Sequence, residues 1–292
     1  MKRTYLMITA CIVSTALFAQ SDSTKTQTVD TIKVGGMIII KKDSPEQNHN
    51  ETTVTIGSNR KQKHSNANTA QFVIDLGFAN WNDKTDYATA TSQGYLINKP
   101  GASALNENDF KLKTGKSSNV NIWVVMQRIN LIKHYVNLKY GIGAEFNNYR
   151  FNSNISLKEH GANPYSLSQD VSHPFVFRDS ISFSKNKLAV DYITVPFMIN
   201  FRTNPNNSDK GLSFSAGVSM GYLFGSRNKQ ISGERGKLKN RGDYDLEKFK
   251  FSYIGELGLG PIRLYGSYAH KSIFENGLNF MPYNIGVRFS NW

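Results

Sequence analysis

The stretch of sequence that decides the fold is LSFSAGVSMGYLF, residues 212–224. Every second residue is apolar, beginning at Leu212 and ending at Phe224, and the positions between hold mainly serine and glycine. This alternation has a period of two residues and predicts a β-strand with one apolar and one polar face. The stretch is about twice as long as an average strand of a soluble sheet, and it could cross a lipid bilayer at a tilt.

Seven further segments show the same alternation, which predicts an all-β protein. In the second segment Val120, Ile122, Val124 and Met126 are predicted to share the apolar face. The eight predicted strands cover residues 72–79, 120–131, 134–150, 188–202, 211–225, 249–259, 262–270 and 283–290.

The connections between these strands alternate between long and short. Outer-membrane barrels join their strands by long outside loops and tight periplasmic turns. The sequence therefore predicts an eight-stranded antiparallel up-and-down transmembrane β-barrel over residues 71–292, with both termini in the periplasm. The long connections are residues 80–119, 151–187, 226–248 and 271–281, and the short ones are residues 132–133, 203–210 and 260–261.

The predicted polar faces carry acids and bases among many small residues. The interior of an eight-stranded barrel is just wide enough for side chains, and buried charges are tolerable only when they are paired. We therefore expect ion pairs inside the barrel, an apolar surface against lipid, and no aqueous pore. The charged residues are Asp75, Lys139, Glu145, Arg202, Glu256, Arg263 and Arg288.

Aromatic residues stand near the ends of the predicted strands, where interfacial girdles would lie. The last residues, Arg288 to Trp292, look like the aromatic C-terminal signal read by the barrel-assembly machinery. The predicted outer girdle contains Tyr149, Tyr222, Phe224, Phe249 and Phe251, and the periplasmic one contains Tyr135, Phe201, Phe289 and Trp292.

The N-terminus has the plan of a secretory signal peptide, predicted over residues 1–19. Lys2 and Arg3 precede an apolar stretch from Leu6 to Phe18, and Ala19 is a small residue before the predicted cleavage point. The single cysteine, Cys11, follows a weak lipobox, but lipidation there would leave too short an apolar stretch. Cleavage after Ala19 would leave a mature chain without cysteine, disulfide or thiolate metal site.

Residues 20–70 are predicted to be a polar periplasmic segment or linker. Two short apolar blocks, residues 31–40 and 52–56, could pair as a hairpin. The net charge of +13 becomes +11 once Lys2 and Arg3 are removed. In an exported protein this basic balance favours outer-membrane lipids and lipopolysaccharide as partners over nucleic acid. Secretion or cell-envelope proteins could bind the loops or residues 21–70, and a monomer is expected.

Strands four to eight resemble the PorT-like outer-membrane β-barrel proteins, over about residues 70–292. The stretches that carry the resemblance are Lys187–Phe197, Gly211–Gly225, Gly255–Gly260 and Pro282–Phe289. The founding member of that family is implicated in type IX protein secretion, so the resemblance implies an accessory role in secretion. It implies no catalytic residues.

Few residues suggest catalysis. His270 with Ser272, His160 and His173 lie in predicted loops, and their spacing does not define a triad. His49, His64 and His134 lack metal-ligand spacing. The glycines of residues 255–260 lack a nucleotide-loop pattern, and the spacing of Gly217 and Gly221 belongs to a strand.

We therefore assign no catalytic, cofactor-binding or metal-binding residue from the sequence. The leading hypothesis is a non-enzymatic barrel that docks or scaffolds through residues 80–119, 151–187 and 226–248. The alternatives are an accessory component of secretion and a small barrel enzyme acting on lipid or lipopolysaccharide at its rim.

Overall fold

The computed structural model describes residues 30–34, 37–41, 54–55, 65–205, 211–260 and 262–290. The chain divides into two compact units, residues 1–64 and 65–292. The predicted signal peptide lies outside the described residues, as do His49, His64 and Trp292.

The described part of the first unit is a small antiparallel sheet with the order β1-β2-β3. The predicted apolar block of residues 31–40 forms two strands that pair with each other, with Ile32 opposite Ile39. The second of these strands also pairs with the block near residue 54, where Ile39 lies opposite Val54. The strands are β1 (Asp30–Val34), β2 (Met37–Lys41) and β3 (Val54–Thr55).

The second unit is mostly β-structure. Among the described residues, no helix has the length and apolar character needed to span a membrane. The long strands are β4 (Ala67–Asp83), β6 (Ser118–Ile132), β7 (Val136–Arg150), β12 (Lys185–Arg202), β13 (Leu212–Ser232), β15 (Phe249–Leu259), β16 (Ile262–Ala269) and β17 (Phe280–Phe289). The connections contain α1 (Tyr87–Ser92), β5 (Leu96–Ile97), 3-10 helices at Glu107–Phe110 and Thr114–Lys116, β8 (Ile155–Lys158), β9 (Gly161–Asn163), β10 (Ser166–Val171), β11 (Phe175–Arg178) and β14 (Gly236–Arg241).

The long strands pair side by side in the order β12-β7-β6-β4-β17-β16-β15-β13. All of these pairs are antiparallel, and β12 also pairs with β13, so the series of pairings returns to its starting strand. The first and last long strands meet where Asp75 lies opposite Arg288. Because each long strand has two partners, these strands leave no unpaired edge.

The burial of the long strands largely follows the predicted alternation, with the polar side inward and the apolar side outward as predicted. On β4 the side chain of Asp75 is fully buried, whereas Leu76 is 49% exposed. On β13 Ser215 is buried, and Phe214 and Val218 are each about half exposed. The long strands therefore enclose polar side chains and turn an apolar surface outward, which is the reverse of a water-soluble β-protein.

The predicted face of Met126 is wrong, because β6 contains a β-bulge. Trp123 pairs with Gly143 and Val125 pairs with Ile142, which leaves Val124 as an extra residue. Val124 and Val125 are both exposed, and Met126 points inward and is fully buried. An extra residue reverses the alternation beyond it, and an unbroken period of two cannot reveal that change.

Two further predictions need correction. Tyr149 is fully buried on the inward face of β7, so it does not belong to an outer girdle. Residues 226–248 were predicted as a loop, but β13 continues to Ser232 and pairs with β14, with Lys229 opposite Lys239. The inward phase reverses on the way, because Phe224 is an extra residue between Leu223 and Gly225, which lie opposite Tyr192 and Asp191 of β12. The buried residues are Ser215 and Ser219 before this bulge and Asn228 and Gln230 beyond it.

Candidate functional site

The four long connections pack together into one folded layer at one end of the long strands. We call this layer the cap and define it as residues 84–117, 151–184, 233–248 and 270–279. Its apolar core continues into the adjoining strand ends. The core side chains from the cap are Ala90, Leu96, Leu105, Phe110, Phe151, Ile155, Leu157, Val176, Tyr244, Leu246, Ile273, Phe274 and Leu278.

An aromatic cluster joins the cap to the strand ends. The ring of Phe280 stacks on Trp81 at 4.7 Å, and it lies 5.2 Å from Phe110 and 5.7 Å from Phe274. Trp81 also contacts the ring of Tyr149 at 4.8 Å. Close aromatic pairs of this kind stabilise beyond the area that they bury, so the cluster fixes the cap on the strands.

Local sequence signals shape the first connection. The side chain of Asp86 accepts hydrogen bonds from the backbone N–H groups of Ala88 and Thr89, which caps the N-terminus of α1. Asn106 and Asp109 form a reciprocal capping box at the next 3-10 helix. The Tyr87 hydroxyl donates to Asp83, and burial together with that carboxylate raises the pKa of Tyr87.

An ion pair ties the second connection to the first. The Arg178 guanidinium donates from Nε and Nη2 to the two carboxylate oxygens of Asp109, at 2.7 and 2.6 Å. It also donates to the backbone carbonyl of Ala104 at 3.0 Å. The hydrogen bond to Asp109 raises the pKa of Arg178. This two-point geometry fixes the relative position of both connections.

A second carboxylate ties the second connection to the strand pair β13–β14. Asp179 accepts hydrogen bonds from the Ser156 hydroxyl at 2.7 Å and from Arg235 at 2.8 Å. Burial works to raise the pKa of Asp179, but the hydrogen bonds from Ser156 and Arg235 outweigh it and lower the pKa below its ordinary value. Asp179 is therefore held as a carboxylate at neutral pH.

Backbone pairing links the connections as well. Strand β5 of the first connection runs parallel to β11 of the second, and β11 pairs antiparallel with β8. A β-bridge joins Leu246 of the third connection to Phe274 of the fourth. The cap is thus a folded structure that all four connections build together.

Charged side chains form a continuous network inside the long strands. The Glu256 carboxylate accepts hydrogen bonds from Nζ of Lys139 at 2.7 Å and from Nη1 of Arg288 at 2.6 Å. Nη1 of Arg263 lies 3.4 Å from the same carboxylate. Arg288 also donates from Nε to Asp75 at 2.7 Å. The predicted interior pairing is confirmed for these residues, which all lie on inward faces.

The interior pairing also includes a residue outside the predicted set. Lys250 binds Glu145, and both side chains are buried. Lys250 lies on the predicted polar face of β15, so its inward position follows from the alternation, but its partner does not. Arg202 of the predicted set is half-buried at the short-turn end and takes part in none of these ion pairs.

A small residue makes room for the largest side chain of this interior. The indole N–H of Trp123 donates to Asp75 at 2.7 Å. A Cβ at Gly143 would lie 2.8 Å from the Trp123 ring, so a larger residue there would displace it. A cavity lined in part by Trp123, Glu145 and Arg288 holds only about 20 Å³, close to the space of one water molecule.

The histidines and serine weighed as catalytic groups are spread over the cap. His270 is exposed with its ring 5.9 Å from Tyr253, and the Ser272 hydroxyl donates to the Leu278 carbonyl at 3.1 Å. The same hydroxyl accepts hydrogen bonds from the backbone N–H groups of Phe274 and Phe280, so it stabilises the conformation of the fourth connection. His173 lies beside Tyr95, 4.9 Å between ring centres.

The described residues contain no group of three or more histidine, cysteine or acidic side chains placed to hold a metal ion. His134 lies in the turn between β6 and β7, where both Lys133 and His134 have positive φ. Two successive positive φ angles suit a two-residue hairpin turn. His134 is predicted as the first residue of a strand, but β6 ends at Ile132 and β7 begins at Val136, so it belongs to the turn.

Comparison with solved structures gives distant likenesses. The crystal structure of Ail, the attachment invasion locus protein of Yersinia pestis, is 11% identical, with a TM-score of 0.29, and the match covers 76% of this chain and 98% of Ail. Ail in complex with the heparin analogue sucrose octasulfate is 12% identical over the same shares, with a TM-score of 0.28. None of the curated proteins matches this chain.

A family model supplies the identification. The model described as outer membrane protein beta-barrel domain matches residues 46–274, which is most of the 292-residue chain. The matched range includes every long strand from β4 to β16 and most of the cap. The apolar outward surface and the paired charges within are the features that such a protein needs in lipid. The chain therefore belongs to the outer membrane protein β-barrel domain family.

Proposed function

We propose that the protein is an exported, eight-stranded, up-and-down transmembrane barrel with a non-enzymatic docking role, and that the cap is its docking surface. The observation that carries the proposal is the division of the second unit. Its long strands expose an apolar surface, while its long connections form a folded layer around an apolar core that continues into the strand ends.

The orientation follows from the lengths of the connections. Short turns join β6 to β7 and β15 to β16 at one end, and the cap lies at the other end. In outer-membrane barrels the long loops face outward and the short turns face the periplasm. On this proposal residues 1–19 are a cleaved signal peptide, both termini lie in the periplasm, and the cap faces the cell exterior.

A docking role suits a pre-organised cap. A disordered loop loses conformational entropy when it binds, whereas a surface held by ion pairs and an apolar core has already been ordered. Asp109–Arg178 and Asp179–Arg235 hold adjacent connections in fixed positions. The paired charges and the indole of Trp123 that occupy the interior support a docking role over a pore.

Cysteine labelling tests the orientation. The chain has one cysteine, Cys11, within the proposed signal peptide, so an introduced cysteine would be the only one in the mature protein. Ala102→Cys places a thiol on the exposed cap, and Ser65→Cys places one at the short-turn end. A membrane-impermeant maleimide should label the first variant on intact cells and the second only after lysis. The reverse pattern would overturn the proposed orientation.

Site-specific photo-crosslinking tests the docking role. A photoreactive residue at position 102 should give a discrete adduct in intact cells, and one at position 65 should give a different pattern. An adduct with a secretion-system protein would favour the accessory role implied by the PorT-like resemblance. Absence of any adduct from several exposed cap positions, in cells where the labelling test succeeds, would overturn the docking role.

A further inference from the structure

Four basic residues lie side by side across four neighbouring strands, just beyond the apolar outer surface. Lys187 on β12 is directly opposite Arg150 on β7 and Lys229 on β13, and Lys229 is directly opposite Lys239 on β14. Directly opposed residues of an antiparallel pair have their side chains on the same face. The row Arg150, Lys187, Lys229 and Lys239 is therefore one continuous stripe of positive charge.

The stripe points away from the interior. On β13 the residues that alternate with Arg227 and Lys229 are Asn228 and Gln230, and both are buried. Lys187 donates to Asn148, and Arg227 donates to Asp191 at 3.1 Å, so these contacts also lie on the outer side. We call this surface the basic face, and it consists of Arg150, Lys185, Lys187, Arg227, Lys229, Lys237, Lys239 and Arg241.

Positive charge is in excess on the basic face. Asp191 is bound to Arg227, and Glu159 lies beside Gly242, near the end of β14. Like charges directly opposite each other in a sheet are destabilising. Burial, followed by the charges of Lys185, Arg227 and Lys229, lowers the pKa of Lys187 to about 8. An anion bound across the stripe would relieve this repulsion.

The basic face begins directly after a pair of outward aromatic rings. Phe146 and Phe224 lie 6.2 Å apart, edge to face, and Phe224 is half exposed. Arg227 and Lys229 follow Phe224 by three and five residues, which is roughly 10–17 Å along the strand. Aromatic girdles mark the level at which hydrocarbon gives way to headgroups, so the bases lie at headgroup level.

We propose that the basic face binds the phosphate groups of lipopolysaccharide in the surrounding outer leaflet. The inference rests on the proposed outward orientation of the cap. The face looks sideways and continues the apolar surface of β12 and β13, so it matches a ligand that has phosphates above acyl chains. A soluble polyanion would have the charge but would gain nothing from the adjacent apolar surface.

The test compares two variants of equal charge in purified, detergent-solubilised protein. K187Q/K229Q/K239Q removes three bases from the basic face, and K111Q/K116Q/K271Q removes three from elsewhere on the cap. The probes are lipid A with its phosphates, dephosphorylated lipid A, inorganic phosphate and a sulfated polysaccharide. Unchanged migration of unheated protein on SDS gels would show that both variants are folded.

The expected result is a loss of lipid A affinity of about 100-fold for the basic-face variant, at the usual contribution of a lysine near an anionic surface. The control variant should bind nearly as wild type, and wild type should bind dephosphorylated lipid A weakly. Equal loss in both variants would overturn the proposal, because net charge alone would then suffice. It would also be overturned if the basic-face variant lost binding only to inorganic phosphate or to the polysaccharide.

Failure of this proposal is distinguishable from failure of the proposed function. Binding of lipid A by the detergent-solubilised protein does not depend on which side of the membrane the cap faces. The cysteine labelling, in contrast, reports that orientation directly. Normal labelling with no effect of K187Q/K229Q/K239Q would leave the orientation intact and remove the lipopolysaccharide site.

Discussion

The long strands and the cap bury opposite kinds of side chain. The strands place charge inside and apolar side chains outside, with Glu256 buried and Val218 half exposed. The cap does the reverse, with Phe110 and Leu105 buried and most of its lysines exposed. One polypeptide therefore has two kinds of core, because the long strands face lipid and the cap faces water.

The difference shows where each region draws its stability. The strands depend on backbone pairing around a closed series and on neutralised charge within it. The cap depends on apolar burial and on a few ion pairs that join connections far apart in sequence, such as Asp109 and Arg178. Although the aromatic cluster joins the two regions, we expect substitutions in the interior network and in the cap to damage different regions first.

The largest effect is expected from Glu256→Gln. Glu256 forms ion pairs with Lys139 and Arg288. Without its negative charge, both buried cations lose this carboxylate partner. Removing one partner of a buried ion pair costs about 3–5 kcal/mol. Urea unfolding in phospholipid vesicles should show the loss, and Glu275→Gln on the exposed cap is the matched control. A wild-type midpoint for Glu256→Gln would mean that the network contributes little.

Phe110→Ala should damage the cap and spare the strands. Phe110 is 2% exposed and packs against the rings of Phe280 and Tyr87. Truncation of a buried phenylalanine costs about 3–5 kcal/mol. We expect faster proteolysis within residues 84–117, with an unchanged shift of the unheated band on SDS gels. Loss of that shift would show that the cap and the strands unfold together.

Arginine substitutions at two exposed positions can distinguish a surface in lipid from a surface in water. Val218→Arg lies on the outward face of β13 and should cost about 2–4 kcal/mol if that face is in lipid. Asn108→Arg on the exposed cap should change stability by less than about 0.5 kcal/mol. Unfolding in vesicles measures both. Equal effects would contradict the assignment of the strand surface to lipid.

The smallest effect concerns acid and the cap. The pKa of Asp179 is lowered in the folded state, so its contribution is present above about pH 4 and is lost as the pH falls through the lowered value. Because Arg235 is partly exposed, the contribution is about 1 kcal/mol. Pepsin cleavage of the cap should accelerate below pH 4 in wild type, and this acceleration should shrink in Asp179→Asn. An identical acceleration in both proteins would mean that other carboxylates, and not Asp179, cause it.

The alternation in the sequence predicted much of the strand architecture. It placed Phe214, Val218 and Phe251 outward, and it placed Asp75 and Glu256 inward. It failed at Met126 and Tyr149. A bulge moves the phase of β6, and the outer girdle was inferred from nearness to a strand end without regard to the inward phase of Tyr149. Only the first error needs a neighbouring strand to reveal it, because a bulge is defined by pairing. Tyr149 has the same phase as the inward Glu145, so the alternation alone would have corrected the second error.

The cap illustrates what local patterns miss. Its sequence contains turn residues, short polar runs and scattered aromatics, which read as loops one connection at a time. The capping residues Asp86 and Asn106 are visible in the sequence as local signals. The contacts of Arg178 with Asp109 and of Asp179 with Arg235 span 69 and 56 residues, and no local rule pairs them.

The sequence by itself determined the class of the protein, because a period of two over long segments and the order of long and short connections depend only on local residue types. It also determined which charges point inward, because the pleat alternates with fixed phase between bulges. Only the tertiary structure decided which of those charges meet, that four connections make one cap, and that Arg150, Lys187, Lys229 and Lys239 align across four strands. The physical reason is that register and packing are properties of pairs of segments, and the free energy that selects them appears only when distant segments come together.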